Sequence, residues 1–281
     1  MKQTIAIFII AILVVTSCNK HSDDNNVVTP SGPVLLKKFI LLEDTQSIPE
    51  DTIETFNYTY DSQNRCTQID MEKNGYTGRV TNYYNGTDTL ISSRKLVSGS
   101  FTGWEYFTYD SNGNMSADST IGIGAAGNIG VYRYHIISPG LITADIDLIN
   151  PIFSVKYLFN KDAAGNIIQS TDSSWTVTVP PGYLTSSTVA SISYDNHPCP
   201  FYKLYPRRLV DIEFENELSG DLPFFIQHNN VLHAERTQST SGGVQPYNVS
   251  YSYQYNSDGY PTSMHYQDML SGETYNGVYI Y

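Results

Sequence analysis

Charge is scarce in this chain of 281 residues: Asp, Glu, Lys and Arg together make up 16%. The shortage is greatest on the basic side, with 16 Lys and Arg against 28 Asp and Glu, giving a formal net charge of −12. Such a surface repels phosphate backbones, which excludes nucleic acid as a partner. Cysteine is nearly missing, with only Cys18, Cys66 and Cys199. Three thiols so far apart make neither a disulfide scaffold nor a paired-cysteine zinc site, and whether Cys66 bonds Cys199 stays open at this level. No apolar run approaches the length of a membrane-spanning helix; Ile5 to Val15 is an unbroken stretch of eleven. Helical periodicity is also wanting, and only 201–217 leaves room for one short helix.

Catalytic signatures are equally sparse. There is no Gly-x-Ser-x-Gly elbow. Gly122-Ile123-Gly124-Ala125-Ala126-Gly127 imitates a dinucleotide fingerprint, but no helix pattern follows it. Asp145 with Asp147, and Glu213 with Glu215, would share a strand face as solvated acids. The turns at Asp110–Asn114 and Asn256–Gly259 lack the terminal Glu and flanking helices of a calcium loop, and Asx turns explain them without a metal. His228, His233 and Glu235 have no zinc-site spacing, and on a strand His233 and Glu235 would share a face turned to water. The expectation is a chain with no cofactor, no metal and no catalytic constellation.

What the chain does have is tyrosine, 23 of them beside 11 Phe and 2 Trp. The ring favours strands and tolerates half-exposure, which suggests thin sheets with wet edges. The stretch Phe107-Thr108-Tyr109-Asp110-Ser111-Asn112-Gly113-Asn114-Met115 shows the organising unit: aromatic alternation, then a tight polar turn, then a new strand. Variants return at 58–65, 157–162, 192–196 and 253–260. In each, an Asp or Asn can bond its own backbone two residues on, and a Gly or Asn accepts the left-handed conformation. The interval from Tyr60 to Tyr109 is 49 residues and from Tyr109 to Phe159 is 50, a degenerate repeat of about four short strands.

Strands are predicted over 34–42, 51–60, 66–73, 79–84, 89–96, 104–109, 115–123, 130–137, 141–149, 152–159, 167–179, 186–194, 231–239, 247–255, 260–270 and 274–281. The resulting fold class is all-β: one antiparallel meander of hairpins over 34–281, forming a large curved sheet or an open barrel or sandwich.

The N-terminus reads as an address. Lys2 and the run from Ile5 to Val15 have the form of a signal peptide over 1–17. Val15-Thr16-Ser17-Cys18 resembles a bacterial lipobox, which makes Cys18 the acylated residue and 18–33 a flexible tether. Ser22-Asp23-Asp24 is similar to the acidic export signal of Bacteroidota surface lipoproteins. The Tyr-x-Tyr-Asp-x-x-Gly-Asn pattern resembles the YD repeats of Rhs-type proteins, whose toxin shells use far longer arrays. The lipobox, the stretch from Ser193 to Phe201 and the final Asn256–Pro261 resemble a group of Bacteroidota lipoproteins of unknown function. The resemblance implies an outer-membrane protein held by its lipid and exposed at the surface, with the periplasmic face as second choice.

Candidate ligand contacts are Trp104, Tyr106, Trp175 and Tyr183, with the ladder Tyr247, Tyr251, Tyr253 and Tyr255, as a platform for sugar rings or an envelope protein. Binding, adhesion or a structural role is the leading expectation; a surface hydrolase acting on glycans is the alternative.

Overall fold

Among the described residues, sixteen strands follow one another without a crossover. The computed structural model of the chain describes residues 34–43, 52–121, 130–138, 141–148, 153–176, 183–204, 227–240 and 243–281. The strands are β1 (Lys38–Glu43), β2 (Thr52–Tyr60), β3 (Cys66–Lys73), β4 (Tyr76–Tyr84), β5 (Ile91–Ser98), β6 (Phe101–Tyr109), β7 (Met115–Ile121) and β8 (Gly130–Ser138). Then come β9 (Leu141–Leu148), β10 (Phe153–Lys161), β11 (Ile167–Thr176), β12 (Tyr183–Pro198), β13 (Asn229–Thr240), β14 (Gly243–Tyr255), β15 (Pro261–Asp268) and β16 (Thr274–Ile280). Each pairs antiparallel with its chain neighbours, and β1 pairs with both β2 and β16, so the meander closes into a barrel. The described residues contain no helix; within the span suggested for one, 201–204 form turns, and 205–217 lie outside the described residues.

Alternation decides which side chains fill the ring. On β2 the buried residues are Glu54, Phe56 and Tyr58, while Asn57 and Thr59 are exposed. Phe39, Leu41, Ile69, Met71, Val80, Val249, Met264, Tyr266 and Tyr279 are buried on the inner face. A ring of sixteen strands is wide enough to leave a lumen. Here the loop after β12 turns in and helps to fill it: Phe201 meets the ring of Phe39 edge-on at 5.3 Å and that of Tyr279 at 5.7 Å. Burying an aromatic side chain of this size stabilises the fold by about 1.5–3 kcal/mol. Arg94 of β5 and Glu105 of β6 form an ion pair inside the wall, both side chains almost wholly buried.

The outer face carries polar residues: Asp70 and Glu72 on β3, Ser191 and Ser193 on β12, Glu235, Thr237 and Ser239 on β13, Ser252 and Gln254 on β14. Arg79 and Asp70 pair there across β3 and β4 at 2.6 Å. As the alternation predicts, His233 and Glu235 also share this face, 3.2 Å apart.

One end of the barrel is built by repetition. The described turns leading from an even-numbered to an odd-numbered strand lie at this end. In five of these hairpins the register slips by one residue at the last pair, leaving Thr67, Ser92, Ser116, Ile168 or Thr262 as the extra residue, and between β12 and β13 it slips likewise at Tyr194, leaving Leu232. Three of the hydroxyls cross back to the partner strand: Thr67 to the carbonyl of Thr59, Ser92 to that of Tyr83 and Thr262 to that of Gln254, at 3.0–3.2 Å. A bulge re-aims the residue opposite it, and the re-aimed residue is often a tyrosine. Tyr60, Tyr84, Tyr109, Tyr194 and Tyr281 donate to the carbonyls of Leu36, Cys66, Ile91, Ile167 and Pro261, each at or just before the start of the preceding strand. These part-buried phenols therefore tie strand ends together across the rim, while Tyr76, Tyr83 and Tyr106 are exposed.

Candidate functional site

The rim turns fold as their sequences predict. The Asp61 carboxylate accepts the amides of Gln63 and Arg65, Asp110 those of Asn112 and Asn114, and the Asn256 amide oxygen those of Asp258 and Tyr260, all at 2.9–3.0 Å. Gly113 and Gly259 take φ of 77° and 79° to close two of these turns. The backbone amide of Arg65 holds the Asp61 carboxyl below the usual carboxylate range, with its guanidinium and Gln63 assisting. The Asn114 side chain and backbone do the same for Asp110. At Asp162 partial burial pushes upward, and hydrogen bonds from Asn166, Ala164 and Gly165 outweigh it.

Above these turns sits the loop that follows β12. Its Cys199 amide bonds the carbonyl of His228 at 2.9 Å, and the hydroxyl of Tyr202 lies 2.7 Å from Nε2 of His228. Asp195 accepts hydrogen bonds from Asn230 and from the hydroxyl of Tyr255, on whose ring His197 stacks at 3.9 Å. Between this loop and the rim of β2 to β6 lies a cavity of about 510 Å³, lined by Leu36, Tyr60, Tyr84, Tyr109, Lys203 and Leu204 among others. Cys66 and Cys199 also border it; both are free thiols, and burial pushes each up to about 12. Cys66 occupies the first position of its strand, where Ile91, Met115 and Ile167 are buried in other hairpins, so its role is packing.

A second feature lies on the outer wall. Tyr83 of β4, Trp104 and Tyr106 of β6 stack over Ser93 of β5, with centroid distances of 5.6 Å and 6.1 Å and interplanar angles of 24° and 13°. The ammonium of Lys95 lies 5.7 Å from the Trp104 ring. Tyr83 and Tyr106 are 41% and 44% exposed, enough to leave ring faces open to a partner. Among the described residues no three His, Cys, Asp or Glu side chains gather as metal ligands do.

The chain is similar in fold to a porin-like protein from Bacteroides vulgatus. That crystal structure superposes with a TM-score of 0.53 at 13% identity, over 89% of this chain and 99% of the other. A porin-like protein from Bacteroides uniformis gives a TM-score of 0.43 at 14% identity, over 89% and 98% of the two chains. No family model matches the chain, and neither does any curated protein. At this level of identity the likeness is one of fold.

The residues nominated from sequence divide three ways. Trp104 and Tyr106 come together on the outer wall, joined by Tyr83 and Lys95, which sequence reading missed. Trp175 and Tyr183 stand on the β11–β12 hairpin, where Thr176 pairs with Tyr183; β11 is five strands round the wall from β6, and these two side chains lie outside the described residues. Cys18 is likewise outside them. The ladder on β14 does not form an outer platform. Tyr251 is 7% exposed and stacks beside Tyr253 at 6.4 Å, both on the inner face, and burial holds their phenols well above the ordinary range. Burial inside the ring is the physical reason: positions 247, 249, 251, 253 and 255 share one face, and Val249 on that face is fully buried. The mouth cavity went unforeseen, because it depends on a loop folding back over strands distant in sequence.

Proposed function

We propose that this protein is a lipid-anchored, non-enzymatic binding protein of a bacterial outer membrane, its barrel standing in water and its Tyr83–Trp104–Tyr106 shelf stacking on sugar rings. The observation that carries the reading is the polarity of the wall. A barrel that spans a bilayer turns an apolar band outward and a polar lumen inward. Here Phe, Leu, Met and Tyr predominate inward beside a few buried polar residues such as Glu54 and Asn82, while Ser, Thr, Gln, Asp and Glu outnumber exposed apolar residues such as Leu158 and Val189 on the described outer face. A lipid on Cys18 then supplies the membrane attachment that such a wall does not. The acidic tether supports export to the cell surface, and the fold shared with the Bacteroides vulgatus protein is compatible with an envelope role. Against a polar wall, the stacked rings of Trp104 and Tyr106 stand out as a place for the apolar face of a sugar.

Glycan-array binding of the full chain tests the shelf. Wild-type protein is expected to retain a defined oligosaccharide, and Trp104→Ala to weaken it at least about tenfold, a stacking contribution of roughly 1.4 kcal/mol. An array without signal, or binding indifferent to Trp104→Ala, overturns the glycan reading. Palmitate labelling of cells tests the anchor separately: the label is expected on the wild type and absent from Cys18→Ala.

A further inference from the structure

The cavity at the rim combines a size, a lining and a charge that point to one class of ligand. Its volume of about 510 Å³ falls within the range of small-molecule pockets. Tyrosines line it, yet their hydroxyls are committed: Tyr60 to the carbonyl of Leu36 at 2.6 Å, Tyr84 to Cys66 at 2.8 Å and Tyr109 to Ile91 at 2.8 Å. What they offer a ligand is hydrocarbon ring surface, continuous with that of Leu36, Ile91 and Leu204.

The charged groups are all of one kind. In a chain with 28 acids against 16 bases, the described residues lining this cavity include Arg65, Lys203 and His228 and no Asp or Glu. Arg65 is occupied, its Nε with Asp61 and its Nη1 with the carbonyls of Gly86 and Asp88. The His228 ring is engaged by Tyr202. Lys203 is exposed at the mouth, and among the described residues nothing accepts a hydrogen bond from its ammonium.

We propose that this cavity binds a small apolar molecule carrying a single carboxylate, its body against the tyrosine faces and its head on Lys203. The site is independent of the outer shelf: it faces the opposite side of the wall and uses none of the same residues.

Photoaffinity labelling tests it on the full chain in its own membrane, with a diazirine-bearing decanoate as probe and mass spectrometry to map adducts. Saturable adducts are expected in the segments around 60–66 and 89–91, displaced by decanoate and at least about tenfold less well by decanol or decylamine. Lys203→Gln is expected to raise the decanoate concentration needed for displacement about tenfold. Thr89→Trp, at an exposed position on the lining, is expected to abolish labelling by filling the mouth while protease resistance stays that of the wild type. Unsaturable labelling, adducts scattered over the outer wall, equal displacement by decanol, or labelling unchanged in both variants overturns the proposal. Glycan binding at the shelf is expected to be the same in both variants, so loss of one activity does not count against the other.

Discussion

Gly277 of β16 lies so close to Phe39 of β1 that a methyl group on Gly277 would stand 2.8 Å from Cε2 and 2.9 Å from Cζ of the Phe39 ring, with Cε of Met264 at 3.0 Å. The bare backbone at 277 lets the ring pack across the junction between the first and last strands. Phe39 is fully buried and touches Phe56, Phe201 and Tyr279, so it has no room to retreat. Gly277→Ala is therefore expected to destabilise the barrel by about 1–3 kcal/mol. Gly78→Ala is the comparison: its added methyl meets the terminal Cε of Met71, a flexible tip that can rotate away. Urea midpoints of the two variants should separate clearly, with Gly78→Ala nearer to wild type.

The rim tyrosines make a second prediction. Each of Tyr60→Phe, Tyr84→Phe and Tyr109→Phe removes one phenol-to-carbonyl hydrogen bond and no ring packing. Each is expected to cost about 0.5–1.5 kcal/mol, read from chemical denaturation. These phenols close one side of the cavity, so the triple variant should also bind apolar dyes more readily at the rim.

Charge inside the wall gives a third. Arg94→Met leaves the carboxylate of Glu105 buried without its guanidinium and is expected to cost about 3–5 kcal/mol. Replacing both, Arg94→Met with Glu105→Leu, should recover most of that loss, because two charges no longer have to leave water. A double-mutant cycle on denaturation midpoints measures the coupling.

Acid sensitivity follows from the turns. Asp61, Asp110 and Asp162 have carboxyls lowered from 3.8 in the folded protein. A depressed folded value means that the carboxylates contribute stability above the unfolded value near 3.8 and lose it as pH falls through the folded values. Unfolding followed from pH 6 to pH 2 should therefore show stability declining below about pH 4. Asn256 performs the same backbone bonding with a neutral amide. Asp110→Asn is thus expected to keep the hairpin and to flatten part of the decline at low pH.

The strands were legible because their signals are local. Alternation and turn chemistry placed sixteen extended segments within a few residues of their observed bounds, and Asp61, Asp110 and Asn256 bond their backbones as the turn sequences require. The repeat was read at twice its true length. Tyr84 marks the missing half-step, 24 residues after Tyr60 and 25 before Tyr109, but its turn sets Gly86 directly after Asn85, whereas Asn64, Gly113 and Gly259 come three residues after the Asp or Asn that opens theirs. A signal was available on the far side of four of the turns. Cys66-Thr67, Ile91-Ser92, Met115-Ser116 and Pro261-Thr262 all set a buried residue before a hydroxyl that marks the bulge. Facing was harder. A tyrosine ladder has one pattern whether it points in or out, and only closure of the ring settles that Tyr251 points in while Tyr106 points out. Closure itself leaves no local mark, since it joins segments from opposite ends of the sequence.

That union has a consequence for how the molecule is made. Lys38 sits opposite Ile280, so the seam can be sewn only after synthesis has passed Ile280. Until then the two flanking ribbons present unsatisfied amides and carbonyls to any passing chain. A chain lacking Thr274–Ile280 would keep that hazard permanently, and this seven-residue strand thereby decides between a discrete particle and a sticky one.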